Sequence, residues 1–172
     1  YGEAATSVVP KVIQYYESQK AYDYDQDRAR TMLEEAGYGE DNPLFLTLWG
    51  DNTSQEIKAM TFIEQQLEAV GVQVEVVPME PATVSENIYV DFEDAQVNMW
   101  YVNWSASDFS TDSSMRNLLH SSMIPPTSAN AAYYDNLNFD EALDSGLAAT
   151  DEEEQKEFYQ TAQEIAWSDA PW

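Results

Sequence analysis

The residues able to do chemistry in this chain fall in three places. Asp23, Asp25, Asp27 and Glu34 stand at the first, third, fifth and twelfth places of a calcium-loop spacing. Such a loop needs a glycine at the sixth place for its sharp turn. That place holds Arg28, and a second cation, Arg30, follows at the eighth. The acids therefore read as the capped start of a helix rather than an ion site. His120 is the only histidine and cysteine is absent, which rules out multi-histidine and thiolate metal sites. His120 could serve a Ser–His pair, but no Gly-x-Ser-x-Gly turn presents a serine to it; packing or a ligand contact is the expectation. Acidic residues are too abundant for sequence proximity to indicate glycosidase carboxylates, and the six glycines form no phosphate-cradling loop. No catalytic residue, metal or cofactor is assigned.

The third place is the stretch Trp104-Ser105-Ala106-Ser107-Asp108-Phe109-Ser110-Thr111-Asp112, followed by Arg116. It leaves the carboxyl end of a predicted strand, the edge at which open α/β sheets hold ligands. It offers an aromatic platform, hydroxyls and two carboxylates. Arg116 is one of only seven basic residues, and a guanidinium so placed could hold a ligand carboxylate in a fork. The competing reading is a solvated loop in which Arg116 only answers the surrounding acids. Residue chemistry alone leaves the two open.

The elements that must position these groups follow from pattern. Asp25 caps a helix carrying Ala29, Met32, Leu33 and Ala36 and closed by Gly37. Residues 44–49 form a short apolar strand after Asn42-Pro43. Ser54 opens a helix with Ile57, Met60, Ile63, Leu67 and Val70 on one face, ended by Gly71, and residues 72–77 form a second strand. This strand–helix–strand unit is long enough at its crossover for parallel pairing. Residues 81–92 are helical, though weakly patterned, and 95–104 form a third strand, followed by a polar loop and a short helix that includes Leu118 and Leu119. Two helices finish the chain. Asn138 with Glu141 opens one, bearing Phe139, Leu143 and Leu147; Asp151 with Glu154 opens the other, bearing Phe158, Ala162, Ile165 and Ala166. The expected class is α/β, a mixed and partly parallel sheet flanked by helices.

Composition bounds the function. The 172 residues suffice for a sizeable core, and no run of eighteen apolar residues spans a membrane. With 32 acidic residues against 7 basic ones, the formal net charge is -25. Such a surface repels phosphate backbones, so nucleic acid and anionic membrane are not expected partners. Both ends, Tyr1 and Ala170-Pro171-Trp172, read as the blunt edges of an excised domain, or at least of a trimmed mature chain.

Four stretches, in order, carry a resemblance. They are Tyr24-Asp25 through Ala36-Gly37-Tyr38; the strand–helix–strand ending Val70-Gly71-Val72; Trp104-Ser105-Ala106-Ser107 with Asp112 and Arg116; and Tyr134-Asp135-Asn136-Leu137-Asn138-Phe139-Asp140 with Thr150-Asp151 and Asp169-Ala170-Pro171-Trp172. Together they resemble the large ligand-binding lobe of the peptide/nickel class of ABC-importer solute-binding proteins, family 5, and the third looks most like its glutathione-binding branch. The resemblance implies a type II periplasmic-binding-protein-like lobe, with residues 1–172 a single lobe of a two-lobed protein whose N-terminal lobe lies elsewhere in the same chain. It implies a monomer outside the cytoplasm, in the periplasm or lipid-anchored at the surface, that closes on a short peptide or related ligand and delivers it to ABC permease subunits. It carries over Trp104, Ser105 and Ser107 as ligand contacts, with Asp112 and Arg116 added by the glutathione-type match. Relatives that bind free peptides often place an acid three residues after this Trp, where this chain has Ser107, and a glycine before it, where this chain has Asn103. The alternatives are a hydrolase domain of a salt-adapted organism and a calcium-dependent surface module.

Overall fold

A computed structural model describes residues 3–104 and 108–172. The chain divides into two compact units, one made of Asp23–Asn103 and the other of the chain before and after that segment.

The Asp23–Asn103 unit is built on a parallel sheet. Helix α1 (Gln26–Glu35) starts where Asp25 accepts a hydrogen bond from the Arg28 N–H at 2.9 Å, so the acids are a cap, as expected. Strand β1 (Phe45–Asp51), helix α2 (Ser54–Glu68) and strand β2 (Gln73–Met79) form the expected crossover. Gly71 ends α2 at φ +95°, a conformation that costs a residue with a Cβ. Helix α3 (Pro81–Ile88) leads through a short 3-10 turn to β3 (Met99–Trp100). The strand order is β2-β1-β3. Leu48 pairs in parallel with Val76 on one side and Met99 on the other. Both described ladders are parallel, and the antiparallel pairing is one isolated bridge, Gly39 to Asn42. Pro78 is tolerated because β2 is an edge strand. The core is Leu48, Met60, Val72 and Val74; a Cβ on Gly50 would stand 2.7 Å from the Met60 sulfur, so the glycine admits that side chain.

Two expectations here are corrected. The third strand is two residues long, not ten. Just before it, the Asn98 side chain accepts from the Thr47 N–H at 2.9 Å and so takes a β1 donor that a longer strand would use. Helix α1 buries none of its residues: Met32 is exposed, and only Leu33 packs partly on the sheet core.

The second unit is helical: α4 (Thr111–Leu119), α5 (Leu137–Ala148) and α6 (Glu152–Asp169). Their cap residues differ from the sequence reading in one case. Asn136, not Asn138, caps α5, accepting from the Asn138 and Phe139 N–H groups. Asp151 caps α6 as expected. The buried face of α5 is Phe139, Ala142, Leu143 and Gly146, while Leu147 points out. That of α6 is Tyr159, Ala162, Gln163 and Ala166, so Phe158 and Ile165 stand one position off the packed stripe. A Cβ on Gly146 would sit 2.9 Å from the Tyr159 ring, which is how closely α5 and α6 approach.

The N-terminal segment has no regular structure, yet Val9 and Ile13 join this core. Gln163, 0 % exposed, holds it there. Its oxygen accepts from the Ser7 hydroxyl and the Glu17 N–H, both at 3.0 Å, and its nitrogen donates to the Tyr15 carbonyl at 2.9 Å and that of Tyr159 at 3.0 Å. Replacing Gln163 by Leu keeps the volume and strands these groups. We expect a loss of about 2–3 kcal/mol in urea unfolding. Gly146→Ala should cost about 1–3 kcal/mol by forcing the Tyr159 ring aside.

Candidate functional site

The residues singled out by sequence lie in the helical unit, around α4. Ser110 caps that helix, accepting from Ser113 N–H. Asp108 accepts from the Ser110 N–H at 3.0 Å and from the Ser113 hydroxyl, which hold its carboxyl below the usual range. Thr111 donates its hydroxyl to the Gln14 carbonyl at 2.5 Å, tying α4 to the N-terminal segment. One turn on, Asp112 and Arg116 form a two-pronged pair: Nε to Oδ2 at 2.8 Å and Nη2 to Oδ1 at 2.9 Å. Both side chains are largely buried, Arg116 at 15 % and Asp112 at 13 % exposure. Arg116 Nη1 also donates to Asp144 on α5 at 2.8 Å. The Asp112 bonds raise the guanidinium pKa beyond its already high value, with Asp144 adding to them against the opposing effect of burial. In return, the bond from Arg116 lowers the Asp144 pKa.

His120 sits just past this pair and is buried. Its Nδ1 accepts from the Ser122 N–H at 3.1 Å, capping the short turn Ser121–Met123, and lies 2.8 Å from the Ser122 hydroxyl. Nε2 is 3.4 Å from an Asp144 oxygen but has no hydrogen-bond partner. A Ser–His–Asp set of types is thus close in space. Its geometry is that of a cap, since the imidazole nitrogen facing the hydroxyl is the one engaged by that serine's own backbone. Asp140 accepts from the Ser121 N–H and hydroxyl, and fully buried Asn130 bonds the His120 and Tyr134 carbonyls, so the surroundings of His120 are structural. Among the described residues no group of His, Cys, Asp or Glu is arranged to hold a metal ion.

Trp104 is 40 % exposed and lines a cavity of about 650 Å³ within the same unit. Its walls include Val9, Tyr16, Leu118, Trp167 and Trp172. The volume falls in the range of small-molecule sites. Tyr22 stacks on Trp167 with centroids 5.5 Å apart, and the Trp167 ring N–H donates to the Lys20 carbonyl at 2.9 Å, so this aromatic wall is fastened in place. Burial pushes the Tyr159 hydroxyl up to about 12, with the Asp112 carboxylate adding to it.

Of the five sequence-predicted contacts, Asp112 and Arg116 are brought together, Trp104 lies at the cavity, and Ser105 and Ser107 fall outside the described residues. Sequence reading missed Asp144, which shares Arg116, and the tryptophans of α6 and the chain end. Asp144 lies one helical turn beyond Asp140 on α5, but nothing in one sequence says that this side of α5 meets α4.

Comparison with known proteins agrees with this architecture. The family model for bacterial extracellular solute-binding proteins, family 5 Middle, matches residues 1–125. The chain is 36% identical over 174 residues to the glutathione-binding protein GsiB of Escherichia coli strain K12, covering 100% of this chain and 34% of the relative. The chain thus spans about a third of the length of the curated relatives it matches. Among solved structures it resembles the ABC transporter-associated periplasmic binding protein DppA from Helicobacter pylori in complex with peptide STSA. There the TM-score is 0.85 and the identity 26%, over 97% of this chain and 32% of that one. The oligopeptide-binding protein AppA from Bacillus subtilis, in complex with a nonapeptide, shares the fold: TM-score 0.82, 19% identity, 99% of this chain and 35% of that one. The fold is that of type II periplasmic binding proteins, and the relatives named are binding proteins rather than enzymes.

The two acids on Arg116 should behave differently. Arg116→Ala leaves the Asp112 carboxylate largely buried and unpaired, an expected loss of about 2–3 kcal/mol. Asp144 is 63 % exposed, so solvent screening limits Asp144→Asn to under about 1 kcal/mol. Because the folded Asp144 carboxyl is held below its unfolded value, its contribution is full above about pH 4 and is lost as pH falls through the folded value. Urea unfolding of wild type and Asp144→Asn should therefore differ near neutral pH and converge in acid.

Proposed function

The chain belongs to the bacterial extracellular solute-binding protein family 5, and from that premise we propose that it is one lobe of a longer, two-lobed protein. That protein works outside the cytoplasm as a monomer. It closes on short peptides, glutathione-like ones included, and delivers them to the permease subunits of an ABC importer. The observation that carries this reading is the likeness to a glutathione-binding protein across the whole chain. The span of about a third of that relative's length supports the lobe assignment, and the likeness to a peptide-bound DppA supports the peptide class.

Trp104, Ser105 and Ser107 are the proposed direct contacts, with Asp112 and Arg116 completing the set. A guanidinium has five N–H groups, and three are engaged by Asp112 and Asp144. Two are left for a ligand carboxylate, aimed by the pair rather than free to swing. Trp104 supplies an exposed aromatic face, the kind of surface that contributes most to recognition per side chain.

The test is calorimetry of the longer protein with short peptides and with γ-glutamyl peptides. Saturable binding is expected, weakened about tenfold or more by Trp104→Ala. Tight binding of a sugar with none of any peptide would sink the proposal. Residues 1–172 alone should bind only weakly, since half of the enclosing surface is missing; micromolar affinity from this chain alone would contradict the two-lobed mechanism.

A further inference from the structure

Among the described residues, Tyr15, Phe109, Tyr133 and Ala170 stand at positive φ without being glycine. That region is costly for a residue with a Cβ, and more so for a bulky one. Three of the four are accounted for within the chain. Tyr15 stacks on Tyr159 with centroids 5.9 Å apart and donates its hydroxyl to Gln155 at 2.9 Å. Tyr133 is half-buried, and its N–H donates to the Asn130 carbonyl at 3.0 Å. Ala170 closes α6, its N–H returning to the Ala166 carbonyl. Phe109 differs: it stands at φ 54° with its ring 69 % exposed.

The backbone bonds explain the turn at Phe109 but not the ring. Asp108 accepts from the Ser110 N–H at 3.0 Å, a bond that spans Phe109 and fixes its conformation, and Ser110 caps α4. A glycine would meet the same backbone demand without cost. Phenylalanine adds two unfavourable features, a Cβ in the left-handed region and a large apolar surface left in water. Exposure alone is ordinary, since Phe45 and Phe62 are exposed to a similar degree, but neither stands at positive φ. Residues held in such conformations cluster at ligand clamps. Phe109 also follows Trp104 in the stretch that holds the proposed ligand contacts. We infer that Phe109 is a specificity-determining contact whose ring packs on an apolar side chain of the bound peptide. This rests on the reading of the region as a peptide site and adds to it a preference among peptides. The bond across Phe109 fixes where the ring leaves the backbone, which limits the freedom lost on contact.

Calorimetry of the longer protein with γ-glutamyl-phenylalanine and γ-glutamyl-alanine tests the inference, because the two probes differ in one side chain. Wild type should bind the phenylalanine probe about tenfold or more tightly. Phe109→Ala should cut that ratio to under about threefold and change the affinity for the alanine probe by less than about twofold. Phe109→Tyr should keep the ratio. Phe109→Gly should lose it as Phe109→Ala does, yet melt about 1–3 °C above Phe109→Ala, since only glycine escapes the backbone cost. Equal affinity of wild type for the two probes, or an unchanged ratio in Phe109→Ala, overturns the inference. So does equal weakening of both probes, which assigns the ring to a surface other than the ligand. A Phe109→Gly variant that melts no higher than Phe109→Ala also overturns it, by removing the strain on which it stands. Failure of the underlying reading is separate: wild type then binds no short peptide at all, and the inference falls with it.

Discussion

The helical unit depends on one buried amide. The N-terminal segment has neither helix nor ladder to satisfy its backbone, and buried peptide groups without partners are costly. Gln163 supplies the missing partners from the middle of α6, taking the Ser7 hydroxyl and the Glu17 N–H on its oxygen and giving its nitrogen to Tyr15. With the segment pinned at both ends, Val9 and Ile13 enter the core beside Met115, Phe139 and Leu143. Thr111 then finds the Gln14 carbonyl, which ties α4 to the same segment. Three walls of the Trp104 cavity follow from that single placement: the segment, α4 through Leu118 and Leu119, and α6 through Trp167.

Charge is arranged by the same economy. With seven basic residues against 32 acids, each cation in the chain has many possible partners. Arg116 is the one drawn inside, where Asp112 on its own helix and Asp144 on α5 hold it from two sides. The i,i+4 spacing places Asp112 and Arg116 on one face of α4, while the α5 contact sets how that face meets its neighbour. Both carboxylates would repel each other without the guanidinium, so the pair works as a bolt between α4 and α5 before it can act on any ligand.

Local pattern was legible where one element decides the outcome. The caps at Asp25 and Asp151, the closing glycines and the parallel β1-α2-β2 crossover are each set by neighbours within a few residues, and they stand as the pattern implies. What could not be read depends on distant partners. The true stripe of α6 runs through Tyr159 and Gln163 because the N-terminal segment needs an amide there, and no periodicity of apolar residues marks a buried glutamine. Strand β3 is short because Asn98 competes for a donor on β1, fifty-one residues away. Asp112 and Arg116 were named together only through the resemblance, because the sequence pattern put Asp112 in a loop rather than one turn before Arg116 on a helix, and Asp144 reaches Arg116 only through the α4–α5 packing.

The acids of the Trp104 region bear on how a peptide would be recognised. On the family pattern an acid three residues after the tryptophan meets a peptide amine, and this chain has Ser107 there. Of the neighbouring carboxylates, Asp112 gives both oxygens to the prongs of Arg116, while Asp108 takes the Ser110 N–H and the Ser113 hydroxyl on Oδ1 alone. Turning Asp112 toward an amine would give up bonds that order the helix presenting Arg116. On the proposed reading, then, the region recognises a ligand carboxylate through the Trp104 face and the remaining N–H groups of Arg116. A γ-glutamyl peptide carries two carboxylates where an ordinary dipeptide carries one, which on the proposed reading favours the glutathione-like class.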